Sequence, residues 1–145
     1  MVPLGIDKEK FCLQLERLEE RYARLVEARS KLQQDPNDSL VLAAAERLLQ
    51  TLIEECINIG NHVIAGLNLE RPDTYREVFF RLREKEVLSE EVGEKLMGFA
   101  SFRNRLVHLY WRVEQEEVLS KLGEIEFTKE FAEEVYSYLK TQKLL

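Results

Sequence analysis

Apolar residues recur at intervals of three and four along most of the chain, which is the period of an amphipathic helix. A first helix is predicted from about Asp7 to Gln33, before the turn-forming segment QDPNDS. Its apolar positions are Phe11, Leu15, Leu18, Tyr22, Leu25 and Leu32. A second helix is predicted from about Ser39 to the segment GLNLERP. Its apolar side holds Leu49, Leu52, Ile53, Cys56, Gly60, Val63 and Leu67.

Capping signals predict where the next two helices begin. Thr74 and Glu77 have the spacing of a capping box, which predicts a shorter third helix to about Glu84. Ser89 precedes two glutamates, and anions stabilise the positive end of the helix dipole, so a fourth helix is expected to begin there. Its apolar stripe continues to the end of a basic segment and has five members: Phe99, Phe102, Leu106, Leu109 and Val113.

The remaining residues predict one or two further helices, over about 114–121 and 128–141, with Gly123 as the break. No segment has the pattern of a convincing strand. The expected fold is therefore all-α, an antiparallel bundle of four to five helices. A chain of 145 residues corresponds to about one domain with its own core, so residues 1–145 are predicted to form a single domain.

Composition narrows the class of protein. The net charge of −6 argues against a broad basic surface for nucleic acid, but it leaves room for a small basic site. Cys12 and Cys56 form no CxxC motif, so neither a disulfide framework nor a zinc site is indicated. The first residues lack the apolar core of a signal peptide, and no run suits a membrane span. A cytoplasmic protein without a membrane partner is expected, and reduced thiols agree with that compartment.

One segment departs from the acidic character of the chain, because residues 95–113 contain no carboxylate. Three arginines and a histidine stand there: Arg103, Arg105, Arg112 and His108. On a continuous helix, Asn104 and His108 are i,i+4 neighbours on the outer side, which Val107 and Trp111 share. An outer face with such apolar residues predicts a second interface, beside which the polar groups are partly desolvated.

These residue types suit phosphoryl transfer without a metal. Histidine titrates near neutrality and can move a proton, whereas arginine stays charged and matches the oxygens of a phosphate. On RNA, the internal nucleophile would be the ribose 2′-hydroxyl. The two histidines, His62 and His108, complete no Glu-x-x-His motif, and no Gly-rich phosphate loop is present, so no metal and no cofactor is expected. The competing interpretation is a structural histidine beside solvated arginines.

The segment RNRLVHLY matches the pattern R-N-x-x-x-H-x-Y and resembles the signature of HepT-like toxins in the HEPN superfamily. Arg103, Asn104, His108 and Tyr110 fill every position of that pattern. Upstream, IEECINIGNHVIAG and TYREVFFRLREKEVL resemble the second and third helices of the family. The similarity extends over roughly Lys8 to Leu122.

The resemblance implies a homodimeric toxin that cleaves RNA without a metal, in a composite cleft at the dimer interface. Arg103, Asn104 and His108 would then be the catalytic residues of an endoribonuclease. The outer face formed by Val107 and Trp111 would be the dimer interface.

The resemblance also implies a partner. HepT-like toxins are encoded beside a minimal nucleotidyltransferase that acts as antitoxin. In this family that enzyme can transfer AMP to the tyrosine of the H-x-Y motif, which is Tyr110 here.

A second polar line lies on the second predicted helix, where Glu54, Asn58 and Asn61 are spaced i, i+4 and i+7. It is either a solvated edge or a part of the cleft that orients Arg103 or His108. Arg105 is also expected to support the cleft, as a member of the acid-free segment.

A different class of function stays open. Some HEPN domains are non-catalytic helpers that bind nucleotide or substrate for a nucleotidyltransferase. In such a protein Arg103 would bind a phosphate, whereas His108 would only pack.

Overall fold

The computed structural model describes residues 5–108 and 112–145. Within these residues it contains six helices and no strand: α1 (Lys8–Gln34), α2 (Ser39–Gly66), α3 (Tyr75–Glu84), α4 (Glu90–Val107), α5 (Gln115–Leu122) and α6 (Glu126–Thr141). The all-α prediction is confirmed, whereas the expected count of four to five helices is too low. None of the six helices has the length and apolar character needed to cross a membrane.

The additional helix results from a tight turn after α5. The N–H of Gly123 donates to the carbonyls of Leu119 and Ser120, both at 3.2 Å, and the N–H of Glu124 donates to the carbonyl of Lys121 at 3.0 Å. These bonds complete the last turn of α5 and leave only three residues before α6 begins. The break expected at Gly123 therefore separates two complete helices.

The helices begin where their polar capping residues are. Asp7, Asp38, Thr74 and Ser89 each accept a hydrogen bond from the first turn of the helix that follows. At the start of α3, the Thr74 hydroxyl accepts from the N–H of Glu77 at 3.1 Å. The Glu77 carboxylate in turn accepts from the N–H of Asp73, at 2.8 Å. Local side chains thus explain four of the predicted starts.

The long helices α1 and α2 are antiparallel. The N–H of Gly5 donates to the carbonyl of Gly66 at 2.9 Å, so the start of one helix lies beside the end of the other. Helix α3 packs closely on α2 at Gly60, where a Cβ atom would overlap Val78. Any larger side chain at residue 60 would therefore push α3 away from α2.

Buried side chains from all six helices form one core cluster. Its fully buried members include four phenylalanines, Phe11, Phe79, Phe99 and Phe131. The rings of Phe79 and Phe131 meet edge to face with their centroids 5.6 Å apart, which joins α3 to α6. Burial of each ring contributes about 1.5–3 kcal/mol to the free energy of folding. The packed core thereby holds in place the helices whose polar groups meet at one end of α4.

Helix α4 ends at Val107, so its predicted continuation to Val113 is wrong. His108 already has an extended backbone, with φ −89° and ψ 118°. The guanidinium of Arg105 bonds the carboxylate of Glu117 on α5, although these residues would be about 18 Å apart along a continuous helix. Apolar spacing alone carries no signal for a turn that brings Arg105 to α5, which is why it predicted too long a helix.

Candidate active site

The described residues of the R-N-x-x-x-H-x-Y pattern line one pocket of about 830 Å³. Arg103, Asn104 and His108 line it at the C-terminal end of α4, and Asn61 lines it from α2. The connection between α2 and α3 forms much of the remaining wall: Leu69, Arg71, Pro72, Asp73 and Thr74, followed by Tyr75. The pocket therefore joins three elements that are distant in sequence.

Arg103 is anchored by a carboxylate on α2. Its Nε and one terminal nitrogen donate to the same oxygen of Glu54, at 2.9 and 2.7 Å, and Gln50 donates to that oxygen at 3.3 Å. The side chains of Arg103 and Glu54 are only 18% and 30% exposed, so their attraction is less screened than on an open surface. This pair fixes the direction of the guanidinium.

The remaining terminal nitrogen of Arg103 donates to the side-chain oxygen of Asn104, at 3.3 Å. The carboxylate of Glu54 thus holds one edge of the guanidinium, while the other edge lies beside Asn104 in the wall of the pocket. A fixed arginine with N–H donors in a pocket is suited to bind a phosphate.

Tyr75 is a pocket residue that sequence reasoning missed. The centre of its ring lies 4.9 Å from the guanidinium carbon of Arg103, in a cation–π contact, and 40% of the residue is exposed. Tyr75 is the first residue of α3, directly after the capping Thr74. No periodicity could have identified it, because the contact joins residues 28 positions apart and depends on packing of the helices.

His108 is the C-terminal cap of α4, and its extended backbone directs the chain that follows away from the helix. Its N–H still donates to the carbonyl of Asn104, at 3.3 Å, and both residues line the pocket. The imidazole belongs to an exposed residue and is therefore accessible to a ligand in the pocket.

Arg105 points to α5. It forms an ion pair with Glu117 and donates to the carbonyl of Arg112 at 3.3 Å, so it joins the two sides of the segment that contains His108. The hydrogen bond from Arg105 holds the pKa of Glu117 below its usual range, and the same bond raises the pKa of Arg105. Arg105 is not among the described residues that line the pocket.

The three residues of the polar line on α2 have different surroundings. Glu54 contacts Arg103, as one of the two interpretations of this line requires, and Asn61 lines the pocket. Asn58 is exposed and is not part of the described lining; its carbonyl accepts from the side chain of Gln14, at 3.4 Å.

The residues assigned to modification and dimer contact are only partly described. Val107 is half-buried in the last turn of α4. Tyr110 and Trp111 lie outside the described residues, so the assignments made to them stay predictions. The argument that Trp111 shares a helix face with Val107 no longer applies, because α4 ends at Val107.

The described lining contains two arginines and one histidine against a single carboxylate, that of Asp73, while Glu54 contacts Arg103 from outside that lining. The N–H donors of the two arginines favour an anionic ligand, although the whole chain is acidic. No group of three or more histidine, cysteine, aspartate or glutamate side chains that could hold a metal occurs in residues 5–108 and 112–145. The side chains present can bind a phosphate and exchange a proton with a bound ligand.

Comparison with known proteins matches residues 13–135 to the family described as ribonuclease HepT-like. A protein of Archaeoglobus fulgidus, named as a proposed RNase, is 32% identical over 110 residues. That match covers 76% of this chain and 83% of the relative. The tRNA nuclease HepT of Aphanizomenon flos-aquae is 30% identical over 78 residues, which is 54% of this chain. The match spans only about half of that nuclease, 53% of its length.

The fold also matches a solved structure, the tri-AMPylated HEPN toxin of Shewanella oneidensis in complex with MNT antitoxin. The TM-score is 0.81, and the superposition covers 88% of this chain and 96% of the toxin. At 20% sequence identity, this likeness shows that the two chains share a fold.

Proposed function

This chain belongs to the ribonuclease HepT-like family, and from that premise we propose that it is a metal-independent endoribonuclease, the toxin of a toxin–antitoxin pair. The observation that carries the proposal is the meeting of Arg103, Asn104 and His108 in one pocket, with Arg103 held by Glu54. The pocket combines a fixed cation with an imidazole that can accept and donate a proton. Cleavage of a phosphodiester needs both functions.

In the proposed reaction, His108 takes the proton of a ribose 2′-hydroxyl, and the 2′-oxygen forms a bond to the adjacent phosphorus. The bond from phosphorus to the 5′-oxygen breaks, and that oxygen receives a proton from an imidazolium. The products are one end with a 2′,3′-cyclic phosphate and one end with a 5′-hydroxyl. Proton transfer by a positioned histidine accelerates such a step by typically about 10²–10⁴-fold.

Arg103 stabilises the negative charge that develops on the phosphate oxygens in the transition state. Because Glu54 already fixes its guanidinium, little reorientation is needed when the substrate binds. Asn104 orients Arg103 through its side-chain oxygen, 3.3 Å away. Asn61 borders the same space and can bind the ribose or the phosphate.

The active unit is proposed to be a homodimer whose two copies form a composite cleft. Val107 lies half-buried in the last turn of α4, and in a dimer it would be covered together with Trp111. Two copies would bring together two arginines and two histidines, which allows one imidazole to act as base and the other as acid.

The proposed partner is a minimal nucleotidyltransferase that acts as antitoxin and transfers AMP to Tyr110. The family and the likeness to a tri-AMPylated toxin bound to MNT antitoxin support this proposal. An adenylyl phosphate near the arginines would occupy the space that an RNA phosphate needs, and it would neutralise part of their charge. One modification would then both block and neutralise the site.

The alternative is a non-catalytic helper that binds nucleotide for a partner nucleotidyltransferase. In that protein His108 would only pack, whereas the observed residue is exposed and lines the pocket beside Arg103. This position supports the nuclease over the helper.

The test is to incubate the purified protein with RNA in excess EDTA. Cleavage is expected, and Arg103→Ala and His108→Ala should each slow it by about 10²–10⁴-fold while the circular dichroism spectrum stays that of the wild type. Arg24→Ala, which removes a solvent-exposed arginine of α1, is the charge-matched control and should cleave normally. A folded His108→Ala protein with full activity would contradict the mechanism.

A further inference from the structure

We propose that Tyr75 and Arg103 form a nucleobase subsite, in which one unpaired base of single-stranded RNA stacks on the tyrosine ring while its phosphate binds the arginine. The inference rests on the proposed ribonuclease function and names the form of its substrate. It assigns a binding role to a residue outside the R-N-x-x-x-H-x-Y pattern.

The first observation is the position of the ring. Tyr75 stands at the first position of α3 and lines the same pocket as Arg103, Asn104 and His108. One part of the ring contacts the guanidinium, yet 40% of the residue remains exposed. An aromatic side chain beside a phosphate-binding arginine offers a flat apolar surface at the place where the base of a bound nucleotide would lie.

A second observation concerns the charges around the ring. Arg71 is exposed in the wall of the pocket, and within the described parts of the chain it forms no ion pair. It can therefore bind a second phosphate of the same strand. Asp73, the single carboxylate among the described lining residues, can accept hydrogen bonds from the amino group of a base. The mixture of an aromatic ring, two cations and one acceptor suits a nucleotide better than a bare phosphate.

This arrangement has a consequence for the substrate. A base that stacks on Tyr75 must have left its own helix, because the bases of a duplex are covered on both faces by their neighbours. Recognition through aromatic stacking therefore selects loops, bulges and single strands. The proposed substrate class is unpaired RNA with one base turned into the pocket next to the cleaved phosphate.

The experiment uses the full chain and a fluorescein-labelled single-stranded RNA, for which both cleavage and binding by fluorescence anisotropy are measured. Tyr75→Ala should raise KM by about 5–150-fold, the effect expected for the loss of one base–aromatic stack, while kcat changes little. Tyr75→Leu should behave like Tyr75→Ala, because it restores bulk without an aromatic face, and Tyr75→Phe should retain the wild-type KM. Tyr136→Ala is the matched control, since Tyr136 is a similarly exposed tyrosine, at 46%, on α6.

A second set of RNAs separates stacking from a merely structural role. Each RNA carries one abasic ribose at a different position around the cleavage site. At one position the abasic RNA should weaken wild-type binding as much as Tyr75→Ala does, and the variant should lose nothing further there. If Tyr75→Ala instead lowers kcat equally on intact and abasic RNA, the ring only positions Arg103 and the subsite is wrong.

The outcomes distinguish the two proposals. If the wild type cleaves RNA and the KM of Tyr75→Ala is unchanged, the subsite proposal is wrong and the nuclease proposal stands. If the wild type cleaves no RNA, the nuclease proposal fails, and fluorescence anisotropy with the same RNAs still measures the subsite. Tyr75-dependent affinity would then support it, whereas affinity independent of Tyr75, or no binding, would overturn it.

Discussion

At the scale of single residues, the carboxylate of Glu54 decides how Arg103 is presented. One oxygen of Glu54 accepts from Arg103 twice and from Gln50 once. A long arginine side chain without this acceptor would sample many rotamers and lose entropy on binding a phosphate. We therefore propose Glu54 as a positioning residue, which would act on substrate through Arg103.

Glu54→Gln tests this role. The amide keeps the size of the side chain but removes the charge that balances a partly buried guanidinium, so the free energy of unfolding should fall by about 1–3 kcal/mol. RNA cleavage should also slow, with a larger effect on kcat than on KM. Urea unfolding and steady-state kinetics measure the two effects. Glu27→Gln, on the exposed face of α1, is the control, and equal losses in both variants would remove the special role of Glu54.

At the scale of elements, the connection between α4 and α5 is held from both sides by Arg105. Its guanidinium bonds Glu117 on α5 and the carbonyl of Arg112, and His108 lies within the segment that these contacts span. These contacts lie beside the segment that contains His108, but Arg105 is not among the described residues that line the pocket. It is expected to keep His108 at a fixed distance from Arg103.

Breaking the ion pair between Arg105 and Glu117 should lower kcat with little change in RNA affinity. In Glu117→Gln the segment that carries His108 is loosened, and small displacements of a catalytic group cost up to about 10²-fold in rate. The double variant Arg105→Glu, Glu117→Arg restores the opposite charges and should recover part of the lost kcat. Equal kcat values in the wild type and Glu117→Gln would show that the ion pair does not position His108.

The contact between α1 and α2 contains the other histidine. One nitrogen of His62 accepts from the N–H of Asp7 at 3.1 Å, and the other lies 2.8 Å from the side-chain oxygen of Gln14. Burial lowers the pKa of His62, the charge of Lys10 acts in the same direction, and Asp7 opposes them. A neutral ring fits both bonds, because one ring nitrogen donates to Gln14 while the other accepts from the N–H of Asp7. A charged ring would place a second donor against that N–H.

The stability of the protein should therefore fall on mild acidification. Because the pKa of His62 is lower in the folded protein than in the unfolded chain, its contribution is complete above the unfolded value of about 6.5. That contribution is lost as the pH falls through the folded pKa. Thermal unfolding between pH 7.5 and 5 should show this decline, and His62→Gln should flatten it. An equally steep decline in His62→Gln would assign the effect to other groups.

At the scale of the whole molecule, an acidic chain carries a pocket whose described lining contains more arginines than carboxylates. The net charge of −6 disfavours non-specific binding of RNA along the surface, so we expect the proposed RNA contacts in the pocket. Doubling the pocket in a homodimer would concentrate the positive charge further.

The dimer is tested by Trp111→Glu, which places a charge in the proposed interface. Light scattering should report monomers, because a buried unpaired carboxylate is costly, and RNA cleavage should be lost because the cleft is composite. Circular dichroism should still report a helical protein. A variant that remains dimeric and active would place the interface elsewhere.

Much of the helical architecture could be read from local patterns. Asp7, Asp38, Thr74 and Ser89 cap the helices that follow them, and a cap acts on backbone groups only two or three residues away. The R-N-x-x-x-H-x-Y pattern is equally local, which is why the sequence alone indicated the family. Both kinds of signal depend on neighbours along the chain.

Tertiary structure decided the end of α4 and the composition of the pocket. Apolar spacing continues to Val113, but α4 ends at Val107, and Arg105 in its last turn bonds Glu117 on α5. Likewise, Tyr75 meets Arg103 only because α3 packs on α4. Pairs separated by 12 or 28 residues leave no periodic trace in the sequence, since their contact is set by packing of whole helices and not by the local conformation of either partner.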